Sequence, residues 1–195
     1  MSENAFYSDS LDYSEFTAKI DTMVSRIEWW LRVKNVEHKA MAKHYGVYSY
    51  MFEPTIINDS CTFRYDFEDF AGFVNWDNMF VNKLINTHKG NCHSLPFLHK
   101  ILTEAIGAES YLALAPAHVY IKHQDESGKW VNIETTNGGN FATDAWIISS
   151  SGITSEAIKN GIYMVPLSRQ ESVALTLYDL AMRYKEKYGH STTVS

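Results

Sequence analysis

Residues 118–134, HVYIKHQDESGKWVNIE, read as two short strands around a turn. In the first strand His118, Tyr120 and Lys122 alternate with Val119 and Ile121. In the second, Trp130, Asn132 and Glu134 alternate with Val131 and Ile133. Successive side chains of a strand point to opposite faces, so each set of three shares a face. Asp125, Glu126, Ser127 and Gly128 supply the turn of a β-hairpin. Pairing Lys122 with Trp130 sets Tyr120 opposite Asn132 and His118 opposite Glu134. Cross-strand partners have Cβ atoms about 4.5–5.5 Å apart, so this imidazole and this carboxylate can share a hydrogen bond. A slip of one residue would send them to opposite faces.

Upstream, Leu95, Leu98, Ile101, Leu102, Ala105 and Ile106 recur at helical spacing up to Gly107, which suits the left-handed position after a helix end. Pro96 is tolerated only in the first turn, so this helix begins no earlier than about Cys92 or His93. Gly90 is expected to turn the chain sharply just before it. Cys92 therefore stands at a helix N-terminus, where the positive end of the dipole favours a thiolate. A cysteine in apolar surroundings is by itself an ordinary core residue. With His118 and Glu134 it completes a nucleophile, base and orienting acid, the plain alternative for the last two being a surface ion pair. Asn132, on the same face, is a second orienting candidate, and the Cys92 N–H is a natural oxyanion donor.

The rest of the chain is mostly helical by pattern. Phe16, Ile20, Met23, Val24, Ile27, Trp30 and Leu31 mark one helix with Asp12 and Glu15 at its start, and 36–45 a second that stops before Gly46. The acidic, aromatic segment 65–73 has no clear assignment, 75–86 reads as a helix, and 111–115 as a strand. After Gly139 the chain is loop-rich, with a short helix at 155–159. A final helix over about 168–188 opens on a Ser168–Glu171 capping box, followed by a frayed tail. With 195 residues and 45% hydrophobic content, one domain is expected, with an N-terminal helical part over about 1–60, a core over about 75–140 and the C-terminal helix.

A net charge of −6 with scattered Lys and Arg gives no footprint for a phosphate backbone, so nucleic acid is not an expected partner. There is no apolar run long enough for a membrane span. The first 16 residues lack the basic and apolar regions of a signal peptide, so a cytoplasmic location is expected. Two cysteines, Cys61 and Cys92, are too few for a disulfide framework, a single bridge between them being the alternative to a free nucleophile, and His88, Cys92 and His93 are not expected to form a metal site because adjacent residues rarely converge on one ion. No cofactor is expected, and the oligomeric state is left open.

Taken in order, Gly90-Asn91-Cys92, a helix ending at Gly107, residues 116–120 (PAHVY) and residues 128–134 (GKWVNIE) resemble the core of the transglutaminase-like superfamily over about residues 76–139. That resemblance implies a papain-like α+β fold, with helices packed on a small antiparallel sheet and a Cys-His-acid site of Cys92, His118 and Glu134. Glu134 departs from the usual Asp of the family. An upstream side-chain N–H from Asn75 or Trp76 is implied as a further oxyanion donor. The superfamily includes cross-linking transglutaminases, peptide N-glycanases, cysteine proteases and proteins that have lost activity. The expected chemistry is thiol-dependent acyl transfer on a peptide or protein amide. Hydrolysis is preferred over cross-linking because a chain of this length leaves little room to present a second amine substrate. The alternative is a catalytically silent peptide- or protein-binding module.

Overall fold

The computed structural model describes residues 12–189; the sequence expectations for the extreme N-terminus and for the tail beyond Gly189 lie outside them. Helix α1, Tyr13–Val33, is capped by the Asp12 carboxylate, which accepts from the N–H groups of Ser14 and Glu15. Its buried residues Ile20, Met23, Ile27 and Leu31 form one helical stripe. That stripe packs on α2, Ala40–Phe52, which starts later than expected and runs straight through Gly46. The glycine is there for contact, not termination. A Cβ at Gly46 would lie 3.1 Å from Ile27 Cγ2 and 3.4 Å from Leu31 Cδ2, so its absence lets the two helices approach.

The expected helix over 75–86 is broken. A 3-10 turn, Trp76–Met79, gives way at the extended Phe80 to α3, Val81–Thr87. After it, Lys89–Gly90 forms β2, paired in parallel with β1, Arg64–Tyr65. Helix α4, Ser94–Ala105, has Leu95, Leu98 and Leu102 fully buried among α1, α2 and α3; each such leucine contributes roughly 1.5–3 kcal/mol. Its other side meets the main sheet through Phe97.

That sheet is antiparallel, in the order β3 (Tyr111–Ala115), β4 (His118–Gln124), β5 (Trp130–Glu134) and β6 (Asn140–Ala142). Leu112, Val119, Ile121 and Ile133 face α4 and Leu167. Ala113, Ala115 and Tyr120 face Ile147 and Ile153, from α5 (Asp144–Ser151) and the turn after it. β6 and α5 occupy the stretch expected to be loop, followed by α6, Ser155–Lys159, and α7, Arg169–Tyr188, with its capping box in place. Among the described residues the architecture is α+β, with seven α-helices, this four-stranded antiparallel sheet and one parallel strand pair. No described helix is long and apolar enough to cross a membrane.

The hairpin register differs from the expected one by two residues. Gln124 pairs with Trp130, Lys122 with Asn132 and Ile121 with Ile133, a register that brings Glu134 level with Tyr120, two residues short of the level of His118. The turn is responsible. Asp125 Oδ1 accepts from Ser127 N, Ser127 Oγ and Lys129 N, which tightens the connection so that pairing extends to Gln124. A two-residue shift preserves the faces, so His118 and Glu134 still share one, as diagonal neighbours.

Candidate functional site

The loop carrying Cys92 is fixed from both sides. The sharp turn expected at Gly90 falls two residues earlier, at the left-handed His88 with φ 56°, and Gly90 itself lies in β2. Gly90 is needed for space, since a Cβ would lie 2.3 Å from Ser94 Oγ and 2.9 Å from Leu84 Cδ1. The fully buried Asn91 accepts on Oδ1 from the N–H groups of His93 and Ser94. The Ser94 hydroxyl accepts from Asn91 N and donates to the Asn78 carbonyl. This reciprocal cap makes Asn91 the effective start of the helical turn, because Leu95 N already bonds the Asn91 carbonyl at 3.1 Å. Cys92 follows in the first turn, where a backbone N–H has no intrahelical acceptor.

Its sulfur points at the β3–β4 turn, with Sγ 4.0 Å from the Ala117 carbonyl oxygen. Ala117, at φ 53°, delivers the chain to His118. His118 Nε2 lies 2.6 Å from Glu134 Oε2. The other carboxylate oxygen, Oε1, accepts from Thr136 N at 3.0 Å and Thr136 Oγ1 at 2.7 Å, so every direction of the carboxylate is fixed. The Glu134 side chain is 3% exposed and that of His118 23%. Burial opposes charge on His118, but the neighbouring Cys92 and Glu134 side chains outweigh it and raise the pKa to about 10. Burial likewise opposes the Glu134 charge and is outweighed by His118 and Thr136, leaving its pKa below the ordinary value. Nε2 is committed to Glu134, and the sulfur lies against the residue next to His118 in the chain. Cys92, His118 and Glu134 are thus brought together.

Three other candidates are used elsewhere. Asn132 donates to the Ala142 carbonyl and to Asp144 Oδ1, tying β6 and the start of α5 to β5, and does not orient His118. The Trp76 indole N–H donates to the Asp179 carbonyl at 3.2 Å, which removes it as an oxyanion donor. Asn75 caps the 3-10 turn by accepting from Asp77 N at 3.0 Å and takes no part in the thiol site. Both cysteines are free, with Cys61 exposed. Among the described residues no group of three or more His, Cys, Asp or Glu is placed to hold a metal ion.

Two features beside the thiol have no counterpart in the sequence expectations. His93 Nδ1 lies 2.7 Å from Asp179 Oδ2 of α7, whose side chain is 4% exposed; with the Trp76 contact, this anchors the C-terminal helix to the loop that carries Cys92. Tyr65 is level with Gly90 in the β1–β2 pair. Burial first, then the nearby charges of Cys92 and Glu134, push its phenol pKa up to about 12. Tyr65 therefore stays a neutral O–H donor at the edge of the site, and its hydroxyl bonds no other described residue. The Asn-x-x-Ser pattern at 91–94 was a readable cap signal; the Asp179 and Tyr65 contacts span distances at which sequence spacing carries no signal.

No family model, curated protein or solved structure matches this chain.

Proposed function

We propose that the chain is a thiol-dependent acyl-transfer enzyme with a papain-like, transglutaminase-like core, acting on a peptide or protein amide with water as acceptor. The observation that carries this is the buried Glu134 carboxylate 2.6 Å from His118 Nε2, with the Cys92 sulfur 4.0 Å from the carbonyl of Ala117, the residue before that histidine. A cysteine at the start of a helix packed on a sheet, with histidine and acid on neighbouring strands, supports the papain-like assignment.

With the proton held on His118, Cys92 attacks the amide carbon as thiolate. The Cys92 N–H and the Tyr65 hydroxyl receive the developing oxyanion. The imidazolium then protonates the leaving amine as the C–N bond breaks, leaving a thioester on Cys92. In the second half the imidazole takes a proton from water, the resulting hydroxide attacks the thioester carbon, and the C–S bond breaks to release the acid and restore the ion pair. Water needs no second subsite and is the simpler acceptor.

Iodoacetamide alkylation, mapped by mass spectrometry between pH 5 and 9, tests this. The exposed, unbridged Cys61 is the internal reference. Cys92 should be alkylated faster than Cys61 at pH 6 and lose that advantage in His118→Gln. Equal rates at pH 6 would refute an activated thiol and favour a silent binding module. Incorporation of an added primary amine into a glutamine peptide would replace hydrolysis with transfer.

A further inference from the structure

The segment between β1 and the Trp76 turn carries four large apolar side chains in the open: Phe67 is 80% exposed, Phe70 56%, Phe73 87% and Val74 87%. Single exposed apolar residues are ordinary; four within eight positions form a patch that marks an interaction site. The segment is held in shape. Asp66 N bonds the Gly90 carbonyl at 2.8 Å, and the Asp66 carboxylate pairs with Lys83 at 3.2 Å in a largely buried bridge. Asp69 accepts from Val74 N and Asn75 N, while Asn78 Nδ2 donates to the Asp69 carbonyl at 2.6 Å. The phenylalanines therefore stand on a braced loop.

The patch is continuous with the thiol site by two routes. Asn91, the residue before Cys92, donates from Nδ2 to the Phe70 carbonyl at 3.2 Å. The Tyr65 ring stands edge-on to Phe67 with centroids 5.0 Å apart, and lies 6.5 Å from Phe70. Resting on the acyl-transfer reading of Cys92, we propose that Tyr65, Phe67 and Phe70 form the subsite for a bulky apolar side chain of the peptide whose acyl group is transferred to the thiol. Charge plays little part in the selection. The Asp66 and Asp69 carboxylates are already committed to the loop, and Glu68 is an exposed partner of Lys89 at 3.3 Å, a pair of the kind that contributes little. An aromatic wall of this sort discriminates by contact area, and one missing side chain in an apolar subsite changes specificity by roughly 10–200-fold per methylene-sized step at most.

The test uses the full chain and dipeptidyl acyloxymethyl ketones carrying Phe, Leu or Gly in either position before the electrophile, with iodoacetamide as a probe too small to reach the wall. In the wild type, labelling of Cys92 by the Phe and Leu probes is expected to exceed that by the Gly probe roughly tenfold or more. The double variant Phe67→Ser/Phe70→Ser changes exposed side chains, leaves the Phe70 carbonyl in place, and should flatten the preference while the iodoacetamide rate stays within twofold. Equal rates for all peptidyl probes in the wild type, or a preference that survives in the double variant, would overturn the subsite while leaving the thiol chemistry intact. Loss of iodoacetamide reactivity at Cys92 in the folded wild type would instead remove the acyl-transfer reading, and the subsite with it. Concentration-dependent self-association abolished by the double variant would assign the patch to a second copy of the chain and likewise overturn the proposal.

Discussion

Replacing Glu134 by Gln keeps the size of the side chain and removes its charge, which isolates what the carboxylate does to His118. The comparison belongs in a Cys92→Ala background, so that the carboxylate is the ring's one remaining charged partner in the proposed site. Two opposite charges about 4 Å apart are worth about 4 kcal/mol at the effective dielectric of a partly buried site. That corresponds to a fall of roughly three pH units in the His118 midpoint. The geometry justifies a figure of this order, since the carboxylate is 3% exposed and 2.6 Å from Nε2. NMR titration of labelled histidine should place the His118 midpoint of Cys92→Ala above 6.5, and that of Cys92→Ala/Glu134→Gln below 6.5, where burial acts unopposed. Stability follows with a definite sign. A raised histidine pKa contributes stability that is fully present below about 6.5 and is lost as pH rises through the folded midpoint. The two proteins should therefore differ by about 3–5 kcal/mol near pH 6, and by less at pH 10. Midpoints within half a pH unit of each other would refute the coupling.

Because His118 and Glu134 meet diagonally, Glu134→Asp should lose the 2.6 Å contact and slow Cys92 alkylation at pH 6 about as much as Glu134→Gln; an undiminished rate would show that the longer side chain is not required. If the proposed amide chemistry holds, Tyr65→Phe should lower turnover by roughly 10²–10³-fold without changing iodoacetamide labelling, and equal turnover would remove the phenol from the proposed oxyanion site. Asp179→Asn takes the charge from the His93 pair, with a cost of about 1–3 kcal/mol; hydrogen exchange should rise along α7, and unchanged protection would discount the anchor. In acid, burial holds the pKa of His44 at about 4 and of His99 at about 3, and lowers that of His123. These groups favour the fold at high pH, and their contribution declines as pH falls from 6.5 through the folded values. His44→Phe should therefore shift the acid unfolding midpoint downward, and an unmoved midpoint would place acid sensitivity elsewhere.

What could be read from residue order was what depends on local periodicity. The alternation in 118–134 put His118 and Glu134 on one face because parity survives a two-residue shift, although the register itself was set by side-chain bonds of Asp125 that alternation does not encode. Pro96 located the start of α4 because a missing N–H is a local constraint. Gly46 misled because a helix-ending glycine and a helix-contacting one look alike until the opposing Ile27 and Leu31 are in place. Trp76 and Asn132 had suitable chemistry, but their donors were claimed by Asp179, Ala142 and Asp144, partners that only tertiary structure supplies. β6 was hidden by its length of three residues and by Phe141 pointing outward at 73% exposure.

Helix α4 touches both the helical layer and the sheet, and the Cys92 loop leads into one end of it. Leu98 is set in the helical core and its neighbour Phe97 against the sheet core, so the halves of the molecule should melt in one concerted step and not in succession. A drug or mutation that fills or empties space along that rod would then be felt at the sulfur without ever coming near it.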